Sequence, residues 1–575
     1  MFNRSSKEIF DKNGEIVDFD DTPFTDDNKV YTEILLPPEG YELEKAVCTT
    51  YTLDFRAYLA VLMAFAGDNT DYNDNGPLEE QILAVEDNAK KITVFYDVGH
   101  ARNADKIGIV KSLLSSKNIK QISLPKPKED KRIPAFHPKV WLLKYTKGKS
   151  AKFKFIVLSR NLSFDTSWDT FIVFNGKKGR NKNTDAVVKL LEHLKIAEDW
   201  EDVKGVGFSL EGNENAEIIP LINGKKNEFT FGGDYENAVI MSPFVNKGFF
   251  NDVLTVRSTN KPTLITREPV KLNKENGEKF NIYKLKPGLE GQNKDGNIQE
   301  TGIHAKIYLF DKAEGGSDLY IGSANATKAA FSENTEVLVK IPNLEYTCDK
   351  FLQEIHLNDY PEWFSPVAYT ETEEAASDIA NDRLRVICAL KWEGTLSDKN
   401  DKIILTINVP EDCPKDGSVI IENIPIQEKT ETVKFEYDKA SDISEFFNVE
   451  VDSCKGMLQI KITNKECFQN KIEESVSKEF DKDAFLQRYF ADDADRKRLL
   501  KKLKNDSQTQ EEPEHPEQEK LKAYSANGHT NFSYEDMLLC AFEKRDKFLK
   551  LEENDIFKKD NLITQIQDCL KGGKK

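Results

Sequence analysis

The stretch that decides the fold reads His304-Ala305-Lys306-Ile307-Tyr308-Leu309-Phe310-Asp311, then Gly322-Ser323-Ala324-Asn325, then Asn334 and Glu336. A counterpart lies 167 residues upstream: His137-Pro138-Lys139, followed by Ser159-Arg160-Asn161. A histidine and a lysine followed by a serine and an amide are the groups that metal-free phosphodiester chemistry needs. The imidazole attacks phosphorus or donates a proton. The ammonium and the amide neutralise the phosphoryl oxygens as charge builds in the transition state. The chain has seven histidines, and two of them head these segments. A lone Ser-x-Asn is usually a turn or a helix cap, so the weight rests on the full set and on its repetition.

In this set, His-x-Lys-x4-Asp with a downstream Gly-Ser-x-Asn, the chain resembles the phospholipase D superfamily over roughly residues 46–370. The second copy keeps the offset from His304 to Asp311, and Glu336 stands eleven residues after Asn325. The first copy departs from the pattern. Lys144 stands where the aspartate belongs, Leu158 replaces the glycine, and Asp169 is the nearest substitute for the late carboxylate. A motif without its aspartate resembles the tyrosyl-DNA phosphodiesterase branch.

The resemblance implies an α/β fold of two pseudo-symmetric α/β/α halves, with both motifs lining one cleft, because one half supplies only one histidine. It also implies a two-step reaction in which His137 is the nucleophile and His304 the acid and base, an order that the residues themselves leave open. Lys139 and Lys306 would hold the nonbridging oxygens. Asn161 and Asn325 would add hydrogen bonds, supported by Ser159 and Ser323. Glu336 and Asp169 would fix a histidine tautomer through its second nitrogen. Asp311 completes the motif and reads as a structural carboxylate. No cofactor is implied, and the chain shows no zinc spacing, calcium loop or Gly-rich nucleotide loop.

Composition narrows the setting. A chain of 575 residues should hold several domains, and 39% hydrophobic with 31% charged residues suits a soluble protein with real cores. A formal net charge of −18 argues against general adhesion to nucleic acid or anionic membranes. No apolar run is long enough to cross a bilayer. The start, MFNRSSKEIFDKNG, lacks a signal-peptide core. The eight scattered cysteines suggest reduced thiols, and hence a cytoplasmic protein. Against this acidic background, Lys117 to Lys154 holds twelve Lys or Arg and two acids. Lys126, Lys128, Lys131, Arg132 and Lys144 lie in that stretch and, with Arg160, are candidate phosphate-backbone contacts. The partner expected from this is nucleic acid, DNA before RNA, with no membrane role. Trp141 and Trp168 read as core residues. His100 reads as a solvated loop histidine.

The chain divides into a lead-in (1–45), a first half (46–200), a connector with a second half (201–370), a β-rich accessory domain (371–475) and a helical C-terminal region (476–575) with an acidic linker at 506–520. In the first half the patterning predicts a helix over 54–66 and strands over 92–97, 140–145, 153–159 and 170–174, with helices over 104–117 and 184–197. The second half repeats the plan, with strands at 238–244, 263–266, 306–311, 319–322 and 336–341. Residues 371–385 are acidic and read as a boundary. Short alternating runs from 403 to 463 predict a small β-sandwich. The C-terminal modules suit docking to a protein partner.

These readings converge on a metal-independent nucleic-acid phosphodiesterase working through a phosphohistidine, of the kind found in bacterial restriction or phage defence. Three other readings stand beside it: a nucleic-acid sensor or scaffold with a degenerate first motif, an enzyme that removes protein adducts from DNA, and a lipid phosphodiesterase, which should carry an apolar interfacial patch that the sequence does not show.

Overall fold

The computed structural model describes residues 34–66, 78–125, 132–164, 167–222, 229–267, 274–285, 303–355, 357, 364–366 and 376–479, with two-residue strands at Phe2–Asn3, Ile9–Phe10 and Ile16–Val17. Lys126, Lys128, Lys131, the linker at 506–520 and the C-terminal helices lie outside the described residues.

The first motif is carried by a sheet of β1 (Glu42–Thr50), β2 (Ile92–Asp97), β3 (Ile119–Ile122), β4 (Val140–Lys147), β5 (Ser150–Leu158), β6 (Asp169–Lys178) and β7 (Val206–Leu210). Its order is β7-β6-β5-β4-β1-β2-β3, with Phe2–Asn3 also paired to β6. The run from β7 to β1 is antiparallel, and β1, β2 and β3 are parallel. Parallel neighbours need a crossover. Between β1 and β2 it is made by α1 (Phe55–Phe65) and α2 (Leu78–Asn88), with Asp54 accepting from Arg56 N to cap α1.

A second sheet carries the second motif: β8 (Glu217–Leu221), β9 (Asn237–Met241), β10 (Thr263–Thr266), β11 (Asn281–Leu285), β12 (Ile307–Asp311), β13 (Ser317–Gly322), β14 (Glu336–Leu344) and β15 (Phe364–Pro366). Its order is β8-β14-β13-β12-β9-β10-β11-β15. The run from β8 to β9 is antiparallel, β9, β10 and β11 are parallel, and β15 closes antiparallel. Apart from β15, the succession of directions is that of the first sheet.

Strand alternation sets the layers. On β4, Val140 and Leu142 face one core while Trp141, Leu143 and Tyr145 face another. On β12, Ile307 and Leu309 join the same core as Val140, and Tyr308 and Phe310 face a third. The two sheets therefore share the middle core. Helix α3 (Lys182–His193) lends it Val187, Leu190 and Leu191, and α6 (Cys348–Glu354) lends it Phe351. The third core is aromatic. It holds Phe249 of α4 (Lys247–Asp252) and Phe331 of α5 (Lys328–Ser332), with Phe231 stacked on Tyr308.

Two four-stranded sheets follow. The first comprises β16 (Glu393–Lys399), β17 (Lys402–Asn408), β20 (Thr432–Tyr437) and β23 (Lys461–Ile462). The second comprises β18 (Asp416–Ile421), β19 (Ile424–Gln427), β21 (Phe446–Val451) and β22 (Cys454–Gln459). Their apolar residues are continuous with the outer core of the first sheet, where Phe55 of α1 meets Phe446 at 4.6 Å. The segment read as an acidic boundary is instead largely α7 (Ala376–Ala389), whose Leu384, Ile387 and Cys388 are buried in this core. The helix expected over 104–117 is a kinked 3-10 segment, Ala104–Leu113, broken at Ile107 and Gly108. β1 begins before residue 45, inside the stretch read as a lead-in.

Candidate active site

The two motifs meet where the sheets meet. Two short backbone bridges join the halves, Phe136 to Thr335 and Trp168 to Ile303. His137 N donates to Thr335 O at 2.9 Å, and His304 N donates to Trp168 O at 2.9 Å. Each histidine is thus moored to the residue that precedes the other half's carboxylate: Thr335 before Glu336, and Trp168 before Asp169.

The side chains cross between halves as well. His137 Nδ1 lies 2.8 Å from Glu336 Oε2, so the better-formed motif orients the histidine of the degenerate one. Ser323 Oγ donates to the same Glu336 oxygen at 2.5 Å and accepts from Val337 N at 3.0 Å. The first half repeats this locally, with Ser159 Oγ donating to Asp169 Oδ1 at 3.0 Å and accepting from Thr170 N at 2.8 Å. Asp169 therefore occupies the place that Glu336 holds in the other copy, although its sequence offset differs. Lys139 Nζ donates to His137 O at 3.1 Å, and Lys306 Nζ to His304 O at 2.5 Å. Both lysines are nearly fully buried.

Gly322, at φ +152°, is required by close approach, since a Cβ there would lie 2.2 Å from Val337 O. The first half carries Leu158 at the corresponding strand end. Asn161 Oδ1 accepts from Thr52 N at 3.5 Å. Asn325 presents a buried carboxamide oxygen with no partner among the described residues. Leaving such a group unpaired costs about 1–3 kcal/mol, and a flipped carboxamide would offer a donor from the same place.

The electrostatics favour a neutral His137. Burial, with the positive charges of Lys139 and Lys306, holds the His137 imidazole well below its usual range. Burial, then the charge of Lys306, also lowers Lys139. Burial pushes the Glu336 carboxyl up to about 8, against the pull of Lys139, Ser323, Asn334 and Lys306. When the carboxyl is ionised, His137 Nδ1–H donates to it and Nε2 keeps its lone pair. That form predominates above the raised pKa, so kcat/KM should climb about tenfold per pH unit below about 8 and then level. In Glu336→Gln this limb should vanish, and the rate should fall most above about pH 8, where the wild-type carboxyl is ionised. A pH–rate profile of the two proteins checks this, and an unchanged limb in the glutamine variant would refute it.

Several sequence expectations change. Lys144 bonds Glu44 at 2.6 Å and Asp202 at 2.7 Å, so two carboxylates already neutralise this expected phosphate contact. Arg160 is committed to Asp169 at 2.5 Å and supports the site carboxylate rather than offering a free cation. Asp311 accepts from Ser317 Oγ at 2.7 Å and Cys348 N at 2.9 Å, which ties β12 to α6. Trp141 and Trp168 are buried, as expected of core residues, and Arg132 is exposed. His100 is not a solvated loop residue. Its Nδ1 meets Asp97 Oδ2 at 2.8 Å and its Nε2 meets Tyr51 Oη at 2.8 Å. The carboxylate fixes the proton on Nδ1, so Nε2 accepts from the phenol. The Tyr51 ring lies edge-on to His137 at 5.1 Å, which places this network against the site. Burial and Asp97 raise the Tyr51 phenol.

Sequence reasoning missed Arg385 altogether. From α7 it bonds Asp97 through Nε and Nη2, each at 2.9 Å, and holds Ile133 O at 2.5 Å and Pro134 O at 2.8 Å. Asp97 in turn accepts Phe136 N at 2.8 Å. The chain entering His137 is thus clamped from the C-terminal side. The available signal was a pair of arginines, Arg383 and Arg385, in an acidic stretch whose apolar residues recur at helical spacing.

Among the described residues no cluster of three or more His, Cys, Asp or Glu could hold a metal ion, and no helix is long and apolar enough to cross a membrane.

This constellation of paired His-x-Lys and Ser-x-Asn motifs is similar to that of the phospholipase D superfamily. Residues 290–368 match the family model of the NgoFVII restriction endonuclease N-terminal PLD domain. No curated protein matches the chain. Solved structures similar to it include yeast tyrosyl-DNA phosphodiesterase, at 13% identity and a TM-score of 0.36, covering 61% of this chain and 90% of that one. The phosphatidylserine synthase of Haemophilus influenzae Rd KW20 is similar at 10% identity and a TM-score of 0.29, covering 60% and 87%.

Proposed function

We propose that the protein is a metal-independent phosphodiesterase that hydrolyses nucleic acid, DNA before RNA, with its two motifs acting as pseudo-symmetric halves of one site. The observation that carries this is the His137–Glu336 bond between halves, with both motif lysines buried beside it. His137 Nε2 attacks phosphorus, and the P–O bond to the leaving oxygen breaks. His304 gives that oxygen its proton. Water then attacks the phosphohistidine and passes a proton to His304, and the P–N bond breaks. Lys139, Lys306 and the two asparagines offset charge on the nonbridging oxygens.

The match to a restriction endonuclease family supports nuclease activity and a role in bacterial defence, and the free cysteines among the described residues suit a cytoplasmic setting. The C-terminal modules are assigned to a protein partner. The test is cleavage of labelled single- and double-stranded DNA and RNA in EDTA. Metal-free cutting of one polymer is expected. Binding without any cutting would replace this reading with the sensor.

A further inference from the structure

Among the described residues two aromatic side chains are conspicuously exposed, Phe164 at 41% and Phe244 at 53%. Neither is scattered at random, since each stands beside the Ser-x-Asn loop of one motif. Phe164 follows Asn161 by three residues, and its loop is pinned to the start of α1 by Asp54 N donating to Leu162 O at 2.9 Å. Phe244 lies on the loop after β9. There Ser242 Oγ accepts from Ala326 N at 2.9 Å and Val245 bridges to Ala326, the residue after Asn325. Each ring also has a guanidinium against it, Arg56 at 5.9 Å from the Phe164 centroid and Arg267 at 4.6 Å from that of Phe244.

Burying a phenylalanine is worth about 1.5–3 kcal/mol, so two partly exposed rings, one beside each motif loop, suit a flat apolar occupant. The flat faces of nucleobases fit, and stacking on an aromatic ring beside an arginine is how unpaired strands are held without sequence readout. A net charge of −18 weakens any grip through the phosphate backbone alone, which makes a stacking contribution the more useful.

Resting on the function proposed above, we infer that Phe164–Arg56 and Phe244–Arg267 are two base-stacking platforms that flank the scissile phosphate, and that the substrate is an unpaired strand. A duplex keeps its bases stacked on one another and cannot offer them to both rings.

The test is a double-mutant cycle. The substrate is a single-stranded oligonucleotide with one phosphodiester among methylphosphonate linkages, its flanking bases either intact or abasic. Removing the bases should raise the wild-type KM about tenfold. Phe164→Ala and Phe244→Ala should each raise KM similarly on the intact strand, more than they lower kcat. The abasic change should then add little on the side of the missing ring. Phe→Tyr should restore binding and Phe→Leu should not. Equal abasic penalties in wild type and variants, leucine serving as well as tyrosine, or equal KM for duplex and single strand would each overturn the platforms. If wild type cuts nothing, the function proposed above falls. The same cycle read as Kd by fluorescence anisotropy then decides the platforms separately.

Discussion

Replacing His137 with alanine should lower phosphodiester cleavage by a factor on the order of 10³–10⁴, and His304→Ala should lower it comparably, because in the mechanism proposed above nucleophile and proton donor act as a unit. The two variants should differ in how they fail. On an aryl phosphodiester with a good leaving group, expulsion needs no proton. His304→Ala should then release one equivalent of phenol in a burst and stall as an acid-labile adduct on His137, visible by intact mass. His137→Ala should show neither burst nor adduct. The geometry motivates this order: Glu336 fixes the Nδ1 side of His137 at 2.8 Å, and burial with two lysines keeps that ring neutral. A burst in His137→Ala but not in His304→Ala would reverse the roles. Full activity in both would remove the cluster from the chemistry.

The parts of the site that follow local rules were legible in the sequence. Fixed offsets within His304–Asp311 and Gly322–Asn325 reflect a strand and a turn, whose geometry is set over a few residues. β4 and β12 showed as continuous apolar runs, the pattern of strands buried on both faces. What was not legible depends on pairing across long sequence separations. Nothing near His137 announces that its carboxylate is Glu336, 199 residues away. The substitution of Lys144 for an aspartate looked like damage to the first motif. In the fold that position is a strand residue paired with Glu44 and Asp202, and the matching Asp311 also ties together structure rather than chemistry. His100 was undervalued for the same reason: a histidine after a strand is unremarkable until Asp97 and Tyr51 close on both of its nitrogens.

Arg385→Ala should be the most disruptive change outside the two motifs. The pair it forms with Asp97 is buried, at 4% and 0% side-chain exposure. Removing one partner of such a pair costs about 3–5 kcal/mol because the remaining charge stays buried. The loss should not be confined to stability. Arg385 also holds the carbonyls of Ile133 and Pro134, while Asp97 holds Phe136 N, so the backbone that delivers His137 loses its clamp. Arg385→Met with Asp97→Asn separates the two effects. Neutralising both partners removes the stranded charge, and the asparagine still accepts Phe136 N. Stability in urea should recover most of the loss, whereas kcat should remain down by at least about tenfold, since a displacement on the order of 1 Å at a reacting atom is enough for that. If kcat returns together with stability, Arg385 serves the fold alone. If it stays low in a well-folded protein while Asp97→Asn alone, which equally changes the carboxylate on His100, lowers it less, the C-terminal segment is part of the catalytic assembly, because it sets where His137 stands.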